Sequence, residues 1–200
     1  MEKADRVREA FDQNYGIIST AELAAIKVDY YGIQKLIKGG TLEKIKNGYY
    51  RIPEHWNNSS EANLIAQLFP DGVLCMYTAL FYYGYTDRTP LHWDIAVDKD
   101  SSKSRFNLDY PYVHPFYVEA SQLTFGVSIG DFVDCKIKIF DRDRLICDCL
   151  KYENKMDRET FNKAIQGYVN DSQKNIQKLL DYAKRRRVYE KVKQLIGVWL

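Results

Sequence analysis

The chain has 200 residues, of which 46% are hydrophobic and 28% charged, with a formal net charge of +2. This length suits one large domain or two small ones, and the composition excludes whole-chain disorder and a collagen-like fibre. No run approaches the roughly 18 apolar residues of a membrane span, and Met1-Glu2-Lys3-Ala4-Asp5 has no apolar segment behind it, so a cytoplasmic protein without a membrane partner is expected.

In chain order, Ala4, Val7 and Phe11 form one apolar face of a first helix, which Gly16 ends. Ser19 or Thr20 can cap a short second helix containing Leu23, Ala24 and Ile26. Asp29 can cap a third containing Ile33, Leu36 and Ile37, stopped by Gly39-Gly40. Leu42 to Lys46 and Tyr49 to Ile52 flank Asn47-Gly48, a strong hairpin signal. Three helices and a hairpin make a winged helix-turn-helix over residues 1–52. The polar stretch 53–60 reads as a linker.

Residues 61–200 read as an α+β domain with a helical C-terminal part. Ser60 can cap a helix with Leu64, Ile65, Leu68 and Phe69. A brief strand at Val73-Leu74-Cys75 precedes a helix from Tyr77 to Tyr83. His92 to Val97 alternates like a strand, and Tyr112 to Val118 is another that Pro115 confines to an edge or a bulge. Leu123 to Ile129 and Phe132 to Phe140 suggest a hairpin turning at Gly130-Asp131. Helices follow from Asp141 to the end, the last carrying Val188, Val192, Leu195, Ile196 and Trp199. The fold class is therefore α+β: a winged helix-turn-helix, then a mixed α/β domain ending in helices.

Charge is unevenly spread. Residues 27–51 hold six basic and two acidic residues, a patch that suits a polyanion. The first turns of the second motif helix of a helix-turn-helix face base edges in the major groove. Here those turns carry Tyr30, Tyr31, Gln34 and Lys35. Gln34 can pair with adenine and Lys35 with guanine or phosphate, while the tyrosines suit phosphate or a thymine methyl. Lys38, Lys44, Lys46 and Arg51 would position the backbone. Farther on, Lys184-Arg185-Arg186-Arg187 is either a solvated helix end or a second contact for DNA or an acidic partner.

Catalytic chemistry has little support. Cys75, Cys135, Cys147 and Cys149 have no zinc spacing, and His55, His92 and His114 stand apart in the sequence, so neither a metal nor a cofactor is expected. There is no nucleophile elbow and no phosphate loop. The one enzyme-like pattern is Asp94 followed by Asp134-Cys135-Lys136, which imitates a metal-dependent nuclease. A nuclease with a winged reader and a ligand-sensing one-component regulator are thus the alternatives to a non-enzymatic repressor.

Three stretches resemble the AbiEi family, the antitoxins of bacterial abortive-infection toxin–antitoxin systems. They are Leu36 to Tyr50, Tyr77 to Pro90 with Thr78-Ala79-Leu80, Gly84 and Thr86-Asp87-Arg88, and Ile139 to Leu150 with Asp141, Arg144 and Asp148. The chain departs from the family at Asn47, where a basic residue often precedes the wing glycine, and at Leu145, where threonine is common. The resemblance implies a repressor that binds inverted repeats in its own promoter DNA. It also implies an antitoxin domain that opposes a cognate nucleotidyltransferase-like toxin in phage defence. Asp87, Arg88, Asp141, Arg144 and Asp148 are then either toxin-facing or structural salt bridges and caps.

Overall fold

The computed structural model describes residues 7, 9–11, 16–53 and 60–197. The chain divides into two compact units. The first comprises Met1–Pro70, Ser102–Pro111 and Asp131–Lys136; the second comprises Asp71–Ser101, Tyr112–Gly130 and Ile137–Leu200. Among the described residues no helix is long and apolar enough to cross a membrane.

In the first unit, Val7 and Glu9–Phe11 are helical, and Val7 and Phe11 are buried as their spacing predicts. Ala4 lies outside the described residues. Strand β1 (Ile17–Ser19) leads into α1 (Thr20–Ala25), then α2 (Tyr30–Lys38), β2 (Glu43–Lys46) and β3 (Tyr49–Arg51). The capping of α1 is reciprocal. Glu22 N–H donates to Ser19 Oγ at 3.2 Å, and Ser19 N–H donates to Glu22 Oε2 at 2.7 Å. Asp29 caps α2 by accepting from Gly32 N–H at 2.9 Å.

The turn between α1 and α2 is a Schellman motif. Val28 N–H reaches Leu23 O and Lys27 N–H reaches Ala24 O, each at 2.9 Å, and Lys27 takes the left-handed conformation with φ 63°. The same pairing ends α2, with Gly40 in the left-handed position. The sheet order is β1-β3-β2, antiparallel throughout. Ile18, Leu23, Val28, Ile33, Leu42, Tyr50 and Ile52 close the core with Val7 and Phe11.

Helix α3 (Glu61–Leu68), capped by Ser60, also belongs to the first unit. The fold therefore divides after Pro70, not across 53–60, of which only residues 53 and 60 are described. Asp134 fastens the start of α3 by accepting from Ser60 N–H at 2.9 Å and Ser60 Oγ at 2.5 Å. Asn63 Nδ2 donates to the Asp134 carbonyl.

The second unit is built on a five-stranded sheet of order β6-β5-β4-β8-β7. The strands are β4 (Val73–Leu74), β5 (Trp93–Asp98), β6 (Val113–Val118), β7 (Val127–Asp131) and β8 (Lys136–Phe140). β4 runs antiparallel to β5 and parallel to β8, and β5 runs parallel to β6. β6 is an edge strand, which accommodates Pro115. The β7–β8 connection lies at residues 132–135, where Phe132 N–H donates to Cys135 O at 2.9 Å, and not at Gly130-Asp131. The helices are α4 (Met76–Tyr82), α5 (Arg142–Tyr152), α6 (Arg158–Asn170), α7 (Ile176–Arg186) and α8 (Tyr189–Leu195). α5 is the central one, buried from Asp143 through Leu150. In the last helical stretch Val188, Val192 and Ile196 are buried, Leu195 is exposed, and Trp199 lies outside the described residues.

Candidate nucleic-acid interface

Helix α2 has two unlike faces. Ile33 is buried, and Leu36 and Ile37 pack against the same core. At about 100° per residue, Tyr30, Tyr31, Gln34, Lys35 and Lys38 fall on the opposite arc. Tyr30, Tyr31, Lys35 and Lys38 are exposed and Gln34 is half-buried; Tyr31 retains 81% of its surface. The two tyrosine rings meet edge to face, with centroids 6.0 Å apart. Lys35 and Lys38 fall in the last turn, where the helix dipole favours positive charge. The structure thus brings together on one face all five side chains of α2 that the sequence singled out.

The wing contributes less than expected. Lys44 and Asn47 are exposed, and Gly48 makes the turn with φ 82°. Lys46, expected on a phosphate, is only 7% exposed. Its Nζ donates to the Leu68 carbonyl and lies over the rings of Phe69 and Tyr49, at 3.9 and 4.6 Å from their centroids. It is an interior cation of the first unit. Arg51 is half-buried and pairs with Glu43 at 2.7 Å across the β2–β3 ladder. That hydrogen bond holds the Glu43 carboxyl below its ordinary range and spends the arginine's charge within the sheet. Lys27, a cation outside the helix and wing positions, is also exposed, in the turn between the motif helices. Its place in the basic stretch 27–51 was the available signal. Among the described residues of 27–51 the exposed lysines are Lys27, Lys35, Lys38 and Lys44, side chains of a type that can line a phosphate backbone.

The second unit treats its candidates differently. Asp141 caps α5 by accepting from Arg144 N–H at 2.8 Å. Arg144 is fully buried: its Nε donates to both oxygens of Asp148, at 3.2 and 3.1 Å, and Nη1 donates to Gln122 O at 3.0 Å. The guanidinium also lies over Phe125 and Phe140. Arg186, read in the sequence as part of a surface run, is 2% exposed. Its Nη1 donates to Gln122 Oε1 at 2.9 Å, and its Nε is within ion-pair range of Asp148 Oδ1 but off the hydrogen-bonding direction. One carboxylate therefore serves two buried guanidiniums. Burial pushes the Arg144 guanidinium down from its ordinary pKa, against the pull of Asp148.

Lys184, Arg185 and Arg187 are exposed, with Arg187 ending α7 in the left-handed conformation at φ 60°. Asp87 and Arg88 are also on the surface. Asp87 pairs with Lys163 at 2.8 Å, and Arg88 pairs with Asp157 at 2.9 Å and with Glu159.

The nuclease-like carboxylates are engaged separately. Asp134 is held by Ser60, whose hydrogen bonds keep its carboxyl below the ordinary range. Asp94 is fully buried among groups of the second unit. Two of these are histidines that the sequence placed apart. His114 Nδ1 lies 3.0 Å and His92 Nε2 3.2 Å from Asp94 Oδ1. The parallel register that sets Asp94 opposite His114 brings them together, so the expectation of isolated histidines is corrected. Burial raises the Asp94 carboxyl and the histidines counteract it. Cys75, Cys147 and Cys149 are buried free thiols, raised by desolvation, which accords with packing roles.

Residues 5–53 match a family described as transcriptional regulator, AbiEi antitoxin. No curated protein matches the chain.

Proposed function

From the match of residues 5–53 to the AbiEi antitoxin family of transcriptional regulators, we propose that this protein is a non-enzymatic repressor of its own toxin–antitoxin operon and the antitoxin of that pair. The single observation that carries the DNA half is the outward arc of α2, with Tyr30, Tyr31, Gln34, Lys35 and Lys38 on one face. Gln34 and Lys35 read base edges in the major groove of promoter inverted repeats. The tyrosines bear on thymine methyls or phosphates, and Lys38 and Lys44, joined by Lys27, hold the backbone. The second unit opposes a nucleotidyltransferase-like toxin, and the pair acts in phage abortive infection within the cytoplasm. Asn47, without charge at the wing tip, makes the wing a weaker backbone contact than in a family member with a basic residue there.

Co-expression with the product of the neighbouring gene tests both halves. Because the first unit draws on residues 102–111 and 131–136, point variants are cleaner than truncation. Growth rescue by both the wild type and a Tyr31→Ala/Lys35→Ala/Lys38→Ala variant is expected, with reporter repression lost only in the variant. No rescue by the wild type against a toxic neighbour would refute the antitoxin half. Repression retained by the variant would refute the DNA half.

A further inference from the structure

His92, Asp94 and His114 present three ligand atoms, His92 Nε2, Asp94 Oδ1 and His114 Nδ1, all within 4.8 Å of one another. Three features of the fold put them there. His92 lies in the bend that leads into β5, two residues before Asp94, and its Nε2 comes within 3.2 Å of Asp94 Oδ1. The parallel register of β5 and β6 then sets His114 directly beside Asp94. Because β6 is an edge strand, His114 stays half-open, with 53% of its side chain accessible, while Asp94 is wholly buried.

The carboxylate is also held from behind. Tyr77 N–H donates to Asp94 Oδ2 at 2.8 Å, and Asp94 N–H donates to Thr78 Oγ1 at 2.8 Å. Oδ1 is thereby aimed at the two imidazoles, the kind of outer support that fixes a ligating carboxylate. The Oδ1–nitrogen distances of 3.0 and 3.2 Å fall just under the separation of about 3.3 Å between ligands at tetrahedral zinc with bonds of about 2.0 Å.

We propose that His92, Asp94 and His114 form a site for a divalent transition-metal ion, with zinc the best match. Two imidazoles and one carboxylate favour borderline cations over magnesium or calcium, which prefer all-oxygen shells. The ion would cross-link β5 to the edge strand β6. Three protein ligands leave at least one coordination position for an exogenous group. His92 also forms part of the wall of a cleft of about 260 Å³, alongside Tyr77, Arg88, Leu91 and Asp157. A small anionic or neutral donor in that cleft would lie beside the metal. This inference concerns the second unit alone and does not depend on DNA binding or toxin neutralisation.

The full chain, stripped with a chelator and dialysed, is titrated with zinc by calorimetry and with cobalt by visible absorption. We expect one zinc per chain, d–d bands on cobalt addition and a metal-dependent rise in the thermal midpoint. His92→Ala and His114→Ala, both at half-open positions, are expected to weaken zinc binding by about tenfold or more while retaining the wild-type circular dichroism. Cys135→Ser controls for the partly accessible thiol and should bind as wild type. Magnesium should give no heat. Absence of zinc and cobalt binding, or binding that survives either histidine substitution, would overturn the proposal and leave the cluster as a buried carboxylate flanked by two imidazoles.

Discussion

Lys46 separates the structural account from a count of lysines. Its Nζ lies 2.5 Å from the Leu68 carbonyl and 3.9 Å from the centre of the Phe69 ring, and the residue is 7% exposed. Lys46→Met preserves the apolar stem but removes the charge and strands the Leu68 carbonyl. A hydrogen bond to a charged group contributes about 1.5–3 kcal/mol, and a buried cation–π contact about 0.5–2 kcal/mol. Relief from desolvating the ammonium offsets part of this, leaving a net cost of about 2 kcal/mol. For a chain of this size that lowers the thermal midpoint by roughly 4–8 °C. The salt dependence of DNA binding should not change, because the charge never faces solvent. Lys44→Ala should do the reverse: a stability change within about 0.5 kcal/mol, and a slope of log K against log salt smaller in magnitude by about 0.9. Differential scanning fluorimetry and fluorescence anisotropy over a salt series measure both quantities. An unchanged melting point with a reduced salt slope in Lys46→Met would refute this reasoning and return Lys46 to the DNA surface.

Asp148→Ala leaves the guanidiniums of Arg144 and Arg186 buried without their shared carboxylate. Urea unfolding should show a loss of about 3–5 kcal/mol, and a loss below about 1 kcal/mol would contradict the assigned pairing. Lys27→Gly and Arg187→Gly relieve left-handed backbone at φ 63° and 60°. Each should raise stability by up to about 1 kcal/mol in the same assay, with Lys27→Gly also losing one phosphate contact; no gain in either variant would count against the Schellman geometry.

The parts of this fold legible in the sequence are those fixed by neighbours. The Ser19–Glu22 capping box, the Asp29 cap, the Asn47-Gly48 turn and the edge position forced by Pro115 are all settled within a few residues. The exposed arc of α2 is legible for the same reason, since helical period alone separates Tyr31 and Lys35 from Ile33. What escaped depends on distant pairing. β1 has only three residues and exists because β3 lies beside it. Arg186 stands in a run of four cations that reads as surface, yet it is drawn inside by Asp148, 38 positions earlier. His114 meets Asp94 only through a parallel register with an excursion between the strands. Gly130-Asp131 is a good local turn signal, yet strand β7 continues through Asp131 and the turn falls after it.

The most direct test of the central claim is the affinity of the full chain for the DNA upstream of its own gene, measured by anisotropy between about 50 and 200 mM salt. The four outward cations Lys27, Lys35, Lys38 and Lys44 predict a slope of about −3 to −4 for each bound winged domain. Lys35→Ala/Lys38→Ala/Lys44→Ala should reduce its magnitude by about 2.7, and Gln34→Ala should relax the preference for that DNA over an unrelated duplex. Absence of binding at the lowest salt, or a triple variant that binds as the wild type does, would contradict the claim that α2 and its flanking lysines are the DNA-reading surface.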